Sequence, residues 1–126
     1  MQIKYSQLTN IINSIKKLSS KELPIQTSIK LAKLLKQLNL ENEIFTNEYR
    51  KLFDKYAEKD EKGNIKFENN NAIALKKETI EEFKIKYNEL MDYSFNVDFS
   101  PISISELKDI QISADDLIAL EGFVVD

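Results

Sequence analysis

Two short segments of the chain carry residue types at spacings that invite chemistry. Asp60-Glu61-Lys62-Gly63-Asn64-Ile65 has the look of a calcium loop, in which oxygen ligands recur at alternate positions around a sharp glycine turn. Lys62 stands at the third position, Ile65 replaces the required glycine, and position twelve is Asn71 rather than an acid, so no calcium site is expected. Glu82-Phe83-Lys84 has the Glu-x-Lys spacing of some metal-dependent nucleases. No acidic strand precedes it to complete a metal site, and a charge pair on the wet face of a helix is the expected role. The two glycines, Gly63 and Gly122, stand alone, so no phosphate-cradling loop is formed.

What is missing limits the chemistry further. The chain has no cysteine, histidine or tryptophan. No thiolate nucleophile, disulfide framework or cysteine/histidine zinc site can be built, and no imidazole titrates near neutral pH. The sequence therefore predicts no catalytic residue, no metal site and no cofactor. At 126 residues, 42% hydrophobic and 31% charged with few glycines and prolines, it predicts one folded domain rather than a disordered chain. Met1-Gln2-Ile3-Lys4-Tyr5 has no apolar leader core, and no apolar run approaches the roughly 20 residues of a membrane span, so an intracellular protein without membrane contact is expected.

Charge is the remaining candidate for function. Residues 1–40 carry seven lysines against Glu22 alone, a net of +6, whereas residues 88–126 carry nine acids against Lys108 alone, a net of −8. Lys16, Lys17, Lys30, Lys33 and Lys36 are the candidate nucleic-acid contacts, and Lys30, Lys33 and Lys36 recur at helical spacing. Lysine is poor at reading bases, the chain has a single arginine, Arg50, and no helix-turn-helix signature appears. Direct nucleic-acid binding is thus the third choice, and it would be nonspecific and salt-sensitive. At the other pole, Asp98, Glu106, Asp109, Asp115, Asp116 and Glu121 are the candidate partner-binding acids, because carboxylates can take the places of phosphates in a basic groove. Ordinary helix caps and solvated faces are the competing explanation for each one singly.

These residues must be positioned by a mainly helical fold. Ser6 is the expected cap of a first helix whose stripe is Leu8, Ile11, Ile12, Ile15 and Leu18. A second, long helix begins near Pro24. Its residues Leu31, Leu35, Leu38, Asn42, Phe45, Tyr49, Leu52 and Tyr56 are spaced alternately by four and three, a heptad seam that predicts packing on another helix. Ile29, Leu34, Ile44 and Phe53 broaden that stripe, which favours packing within the molecule. Asn42 either fixes register, within the fold or across a dimer, or lies at the stripe's edge.

Lys59–Asn64 reads as a charged turn and Ile65-Lys66-Phe67 as a short extended segment, the beginnings of a hairpin arm. From Ala72 the spacing of Ile73, Ile80, Phe83, Tyr87 and Leu90 predicts a third helix antiparallel to the second. Tyr93, Phe95, Val97 and Phe99 alternate with polar residues as a half-buried strand ended by Pro101. Ile110-Gln111-Ile112 is a second strand candidate, and Ser113 caps a last short helix that ends near Gly122. The expected fold class is α+β and mainly helical: a helical part over about 5–91, made of a short helix and a long antiparallel helical hairpin, then a small strand-containing acidic end over about 92–126 with a final short helix.

The order Leu23-Pro24, Lys30-Leu31-Ala32-Lys33-Leu34, Phe45, Arg50-Lys51-Leu52, Lys55-Tyr56-Ala57-Glu58-Lys59-Asp60 and Gly63-Asn64-Ile65-Lys66 resembles a family of small uncharacterised proteins encoded by phages and prophages of low-GC Gram-positive bacteria. The ending Ile112-Ser113-Ala114-Asp115-Asp116-Leu117 with Leu120-Glu121 resembles that family's tail. The resemblance implies origin and carries no catalytic residues. It implies a virion component, an assembly factor or an inhibitor of host defence, working in the cytoplasm of the bacterial host. The expected function is non-enzymatic protein binding by a monomer or homodimer. An inhibitor of a host defence nuclease complex, of the anti-CRISPR type, stands ahead of a virion assembly or structural accessory protein.

Overall fold

The first element is a strand that the hydrophobic pattern does not announce. β1 (Gln2–Lys4) runs directly into α1 (Tyr5–Ser19). The chain turns at Lys4, whose backbone N–H donates to Gln7 Oε1 at 3.1 Å, so Gln7 does the capping expected of Ser6, and Ser6 sits inside the first turn. The structure, a computed structural model, describes residues 1–107 and 110–126. It divides into two compact units, Met1–Glu43 with Ser94–Asp126, and Ile44–Tyr93. The long helix α2 (Ile25–Tyr56) contributes to both. No helix among the described residues is long and apolar enough to cross a membrane.

In the first unit, α1 buries Leu8, Ile11, Ile12, Ile15 and Leu18, the stripe read from spacing. Ser19 Oγ and Ser20 Oγ donate to the carbonyls of Ile15 and Lys17 and stop the helix. Pro24 opens α2 by accepting from Ser28 N–H at 3.0 Å. Leu31, Leu34 and Leu38 are buried on the α2 face that meets α1, and the Tyr5 hydroxyl donates to Glu41 Oε2 at 2.9 Å. A link from the start of α1 to a residue far along α2, together with a short connection at the other ends, makes the pair antiparallel. β2 (Ser94–Asn96) pairs antiparallel with β1 in the register Ile3 to Phe95, and Phe95 and Val97 are buried while Ser94 and Asn96 face water. The alternation holds from Ser94 to Asp98, but Tyr93, expected on the inward face, is exposed, and the strand is shorter than 93–99 because its partner is three residues long.

The expected strand at Ile110–Ile112 does not form. Ile110 N–H instead donates to the Leu107 carbonyl at 3.0 Å, and α4 (Ala114–Ala119) follows. β3 (Ile102–Ser103) pairs with β4 (Val124–Val125), and since the intervening chain carries α4 the pairing is parallel. Phe123, Leu120, Ile102 and Leu107 are buried here. Ser113 caps α4 as expected, its hydroxyl accepting from Asp116 N–H at 3.1 Å.

In the second unit, α3 (Ile80–Asp92) lies antiparallel to the end of α2, since Tyr49 meets Tyr87 and Phe53 meets Phe83. Phe45, Tyr49 and Leu52 are half-buried and Tyr56 is buried, so none of the eight heptad positions is exposed in either unit. Two of the four broadening residues, Ile29 and Ile44, are exposed. The helix predicted from Ala72 starts later, after a 3₁₀ turn at Lys77–Thr79. Residues 57–76 make three short extended segments at an eight-residue spacing. Glu58 N–H donates to Ala74 O, Ala74 N–H to Lys66 O, and Lys66 N–H to Glu58 O, closing a ring at 2.8–3.0 Å. Those bonds satisfy backbone groups that a helix at Ala72 would otherwise have claimed. The two turns between segments place Gly63 (φ +82°) and Asn71 (φ +64°) in the left-handed region, which glycine and asparagine tolerate best.

Candidate functional site

The calcium-like segment is one of those two turns. Asp60 Oδ1 accepts from Lys62 N–H and Asn64 N–H, both at 2.9 Å, so its carboxylate serves its own backbone. Glu82 of the Glu-x-Lys pair accepts from the Tyr56 hydroxyl at 2.8 Å and links the two helices of its unit. Among the described residues no group of three or more acids could hold a metal ion.

The two charge poles meet at two ion pairs, Lys30 with Glu106 and Lys17 with Asp116. Glu106 sits in a short 3₁₀ turn, Ile104–Leu107, and accepts from Lys30 Nζ at 3.1 Å, from the hydroxyl of fully buried Thr27 at 3.0 Å, and from Ser103 N–H at 2.8 Å. The Ser103 backbone bond above all, then the bonds from Lys30 and Thr27, hold its carboxyl down at about 2. A folded-state value below the ordinary 4.5 means stability that is complete above that value and is lost as pH falls towards 2. Melting temperature measured against pH checks this: Glu106→Gln should melt lower than wild type at neutral pH, and the gap should close as pH falls through that window.

Asp116 is a second internal tether. Ser14 Oγ donates to its Oδ1 at 2.7 Å, Ser113 Oγ donates to its Oδ2 at 2.9 Å, and Lys17 Nζ lies 3.6 Å away. The Ser14 bond, then that from Ser113, lowers the carboxyl's pKa, with Lys17 adding to the effect. Asp116 therefore fixes α4 to α1 and is not a neutral place for charge reversal.

The remaining candidates fall into separate places. Asp98 exchanges main-chain bonds with the Gln37 amide, and its residue lines a small groove with Lys30, Lys33 and Phe99. Asp109 lies outside the described residues. Lys16, Lys33 and Lys36 are exposed and make no ion pair among the described residues, whereas Lys17 and Lys30 are paired. Lysines three apart step about 60° round a helix each time, so Lys30, Lys33 and Lys36 do not form a straight track for a phosphate backbone.

Asp115 and Glu121 are brought together. They border a groove of about 880 Å³ between α1 and α4, whose α1 wall presents Gln7, Asn10 and Asn13. Met1 and Ile118 form its apolar lip, and Ile118 is 70% exposed. Gly122 allows this shape: its φ is +88°, and a Cβ there would stand 2.7 Å from Met1 Cε. No protein-family model matches this chain, and no curated protein or solved structure matches it. The groove must be read from its own residues. Sequence reasoning missed the amide wall, although a signal was present: residues 5–15 carry no charge in a chain that is 31% charged. An uncharged wet helix face with several amides offers both donors and acceptors without committing to either sign.

Proposed function

We propose that this protein is a non-enzymatic binding module that receives a segment of another protein in the groove between α1 and α4. The observation that carries this reading is the lining: neutral amides of Gln7, Asn10 and Asn13 on one wall, exposed Ile118 on the other, and Asp115 and Glu121 at the border. The amides can pair with an extended main chain, Ile118 can cover an apolar side chain, and the two carboxylates, which make no ion pair among the described residues, favour a basic segment. Basic segments are typical of proteins that handle nucleic acid. The best fit is therefore an inhibitor of a host defence nuclease complex, acting in the cytoplasm of a bacterial host, as the resemblance to phage and prophage proteins suggests. Of the six candidate acids Asp115 and Glu121 form this contact, because Glu106 and Asp116 are engaged internally, Asp98 lines a separate groove and Asp109 lies outside the described residues.

The test is capture of partners from host lysate with wild type and two variants. Asp115→Lys with Glu121→Lys should weaken capture strongly at low salt and weakly at high salt, because steering is screened over about 8–10 Å. Ile118→Asp should abolish capture at any salt. A nuclease subunit among the variant-sensitive partners supports inhibition, whereas a portal, tail or capsid protein supports virion assembly. Capture insensitive to both variants rejects the groove.

A further inference from the structure

The exposed face of α2 carries a second surface with its own pattern. Lys36, Asn39, Leu40 and Glu43 stand at i, i+3, i+4 and i+7, and with Ala32 and Leu35 they line a shallow hollow on the helix. Four residues at that spacing form the hole into which a side chain of a neighbouring helix inserts. Leu40, on the rim of this hole, is 57% exposed. It can therefore serve as a knob for the same hole on another helix.

Its charges are arranged in the same way. Lys36 lies four residues before Leu40 and Glu43 three after, and neither makes an ion pair among the described residues. Neither has an opposite charge three or four residues away on its own helix. We infer that a second copy of this chain docks here, α2 against α2 and antiparallel. In that arrangement Leu40 of each copy seats between Lys36 and Glu43 of the other, and Lys36 faces Glu43 twice across the two-fold axis. A parallel pairing would set Lys36 against Lys36 and Glu43 against Glu43 and is disfavoured. A net charge of −3 per copy opposes the approach only weakly. The contact covers about three helical turns, so it is a weak dimer of the small-interface class.

Sedimentation of the full chain from micromolar to millimolar concentration tests this without any partner protein, and so stands apart from the groove reading. Wild type should show a monomer–dimer equilibrium that weakens with salt. Leu40→Asp should weaken it by roughly tenfold or more. Lys36→Glu and Glu43→Lys should each weaken it, because each sets like charges opposite one another. An equimolar mixture of those two variants should form a heterodimer at least as tight as the wild-type dimer, since both contacts then join opposite charges. All three side chains are exposed, so helix content by circular dichroism should be unchanged. The mixing experiment decides even if Leu40→Asp folds poorly. A wild type that stays monomeric throughout, or a mixture that associates no better than the single variants, overturns the inference.

Discussion

Leu38→Ala is expected to lower folding stability by about 2–5 kcal/mol. Leu38 is 0% exposed, and Leu34 and Leu31 are buried one and two turns earlier on the same face of α2. Truncation removes the transfer free energy of the lost methyl groups and leaves a cavity, which helices held antiparallel at both ends can close only in part. Tyr5 and Glu41 hold the pair at one end and the short connection after Ser20 holds it at the other. Ile25, on the exposed side of the same helix, supplies the contrast: Ile25→Ala should change stability by less than about 0.5 kcal/mol. Chemical denaturation of the two variants checks both values. A cost near that of Ile25→Ala for Leu38→Ala would show that the face is not packed.

The helices were legible because burial imposes a period. Leu8, Ile11, Ile12, Ile15 and Leu18, and the heptad positions from Leu31 to Tyr56 other than Asn42, are where a helix must place apolar residues to bury one stripe. Ser113 was legible for a local reason, since its hydroxyl bonds a backbone group three residues away. Pairings between distant segments left no such trace. β1 is three residues long and shows no alternation of its own, and it is a strand only because residues 94–96 lie beside it. The run Ala72–Lys76 fits a helical period, yet it is extended because Lys66 and Glu58 supply its hydrogen bonds.

The same division holds for the candidate site. Single charges were visible in the sequence, but not that Lys30 would meet Glu106 or that Asp116 would reach Ser14, more than seventy residues apart in each case. A charge block reads as a pole only while its opposite is unplaced. Once the chain folds, the lysines of the first forty residues become in part the counter-charges of the acidic end. The groove was overlooked for the complementary reason. Gln7, Asn10 and Asn13 have no charge to draw notice, and they become a wall only when α4 stands opposite.

Phe83→Ala should have the largest effect within Ile44–Tyr93, about 3–5 kcal/mol. Phe83 is buried at the centre of an aromatic cluster, with ring centroids 5.0 Å from Phe53, 5.9 Å from Tyr56 and 5.7 Å from Tyr87. Two of these contacts are edge-to-face, a geometry that adds about 0.5–1.5 kcal/mol per pair beyond burial. Around it the core is thin. Tyr49, Phe53 and Tyr87 are only half-buried, and Tyr56 and Ala57 are the other buried apolar side chains among the described residues of this unit. A two-helix unit with so small a core has little reserve, so the loss should appear as local opening before global unfolding. Amide hydrogen exchange gives the readout: in Phe83→Ala, protection should fall across α3, the end of α2 and the ring of residues 57–76, while α1 and the Leu31–Leu38 part of α2 keep theirs. Phe83→Leu, which retains most of the apolar volume, should recover much of the protection. Uniform loss of protection in both units would mean that they unfold as one cooperative body, and unchanged protection in Phe83→Ala would mean that the aromatic cluster does not hold α3 in place.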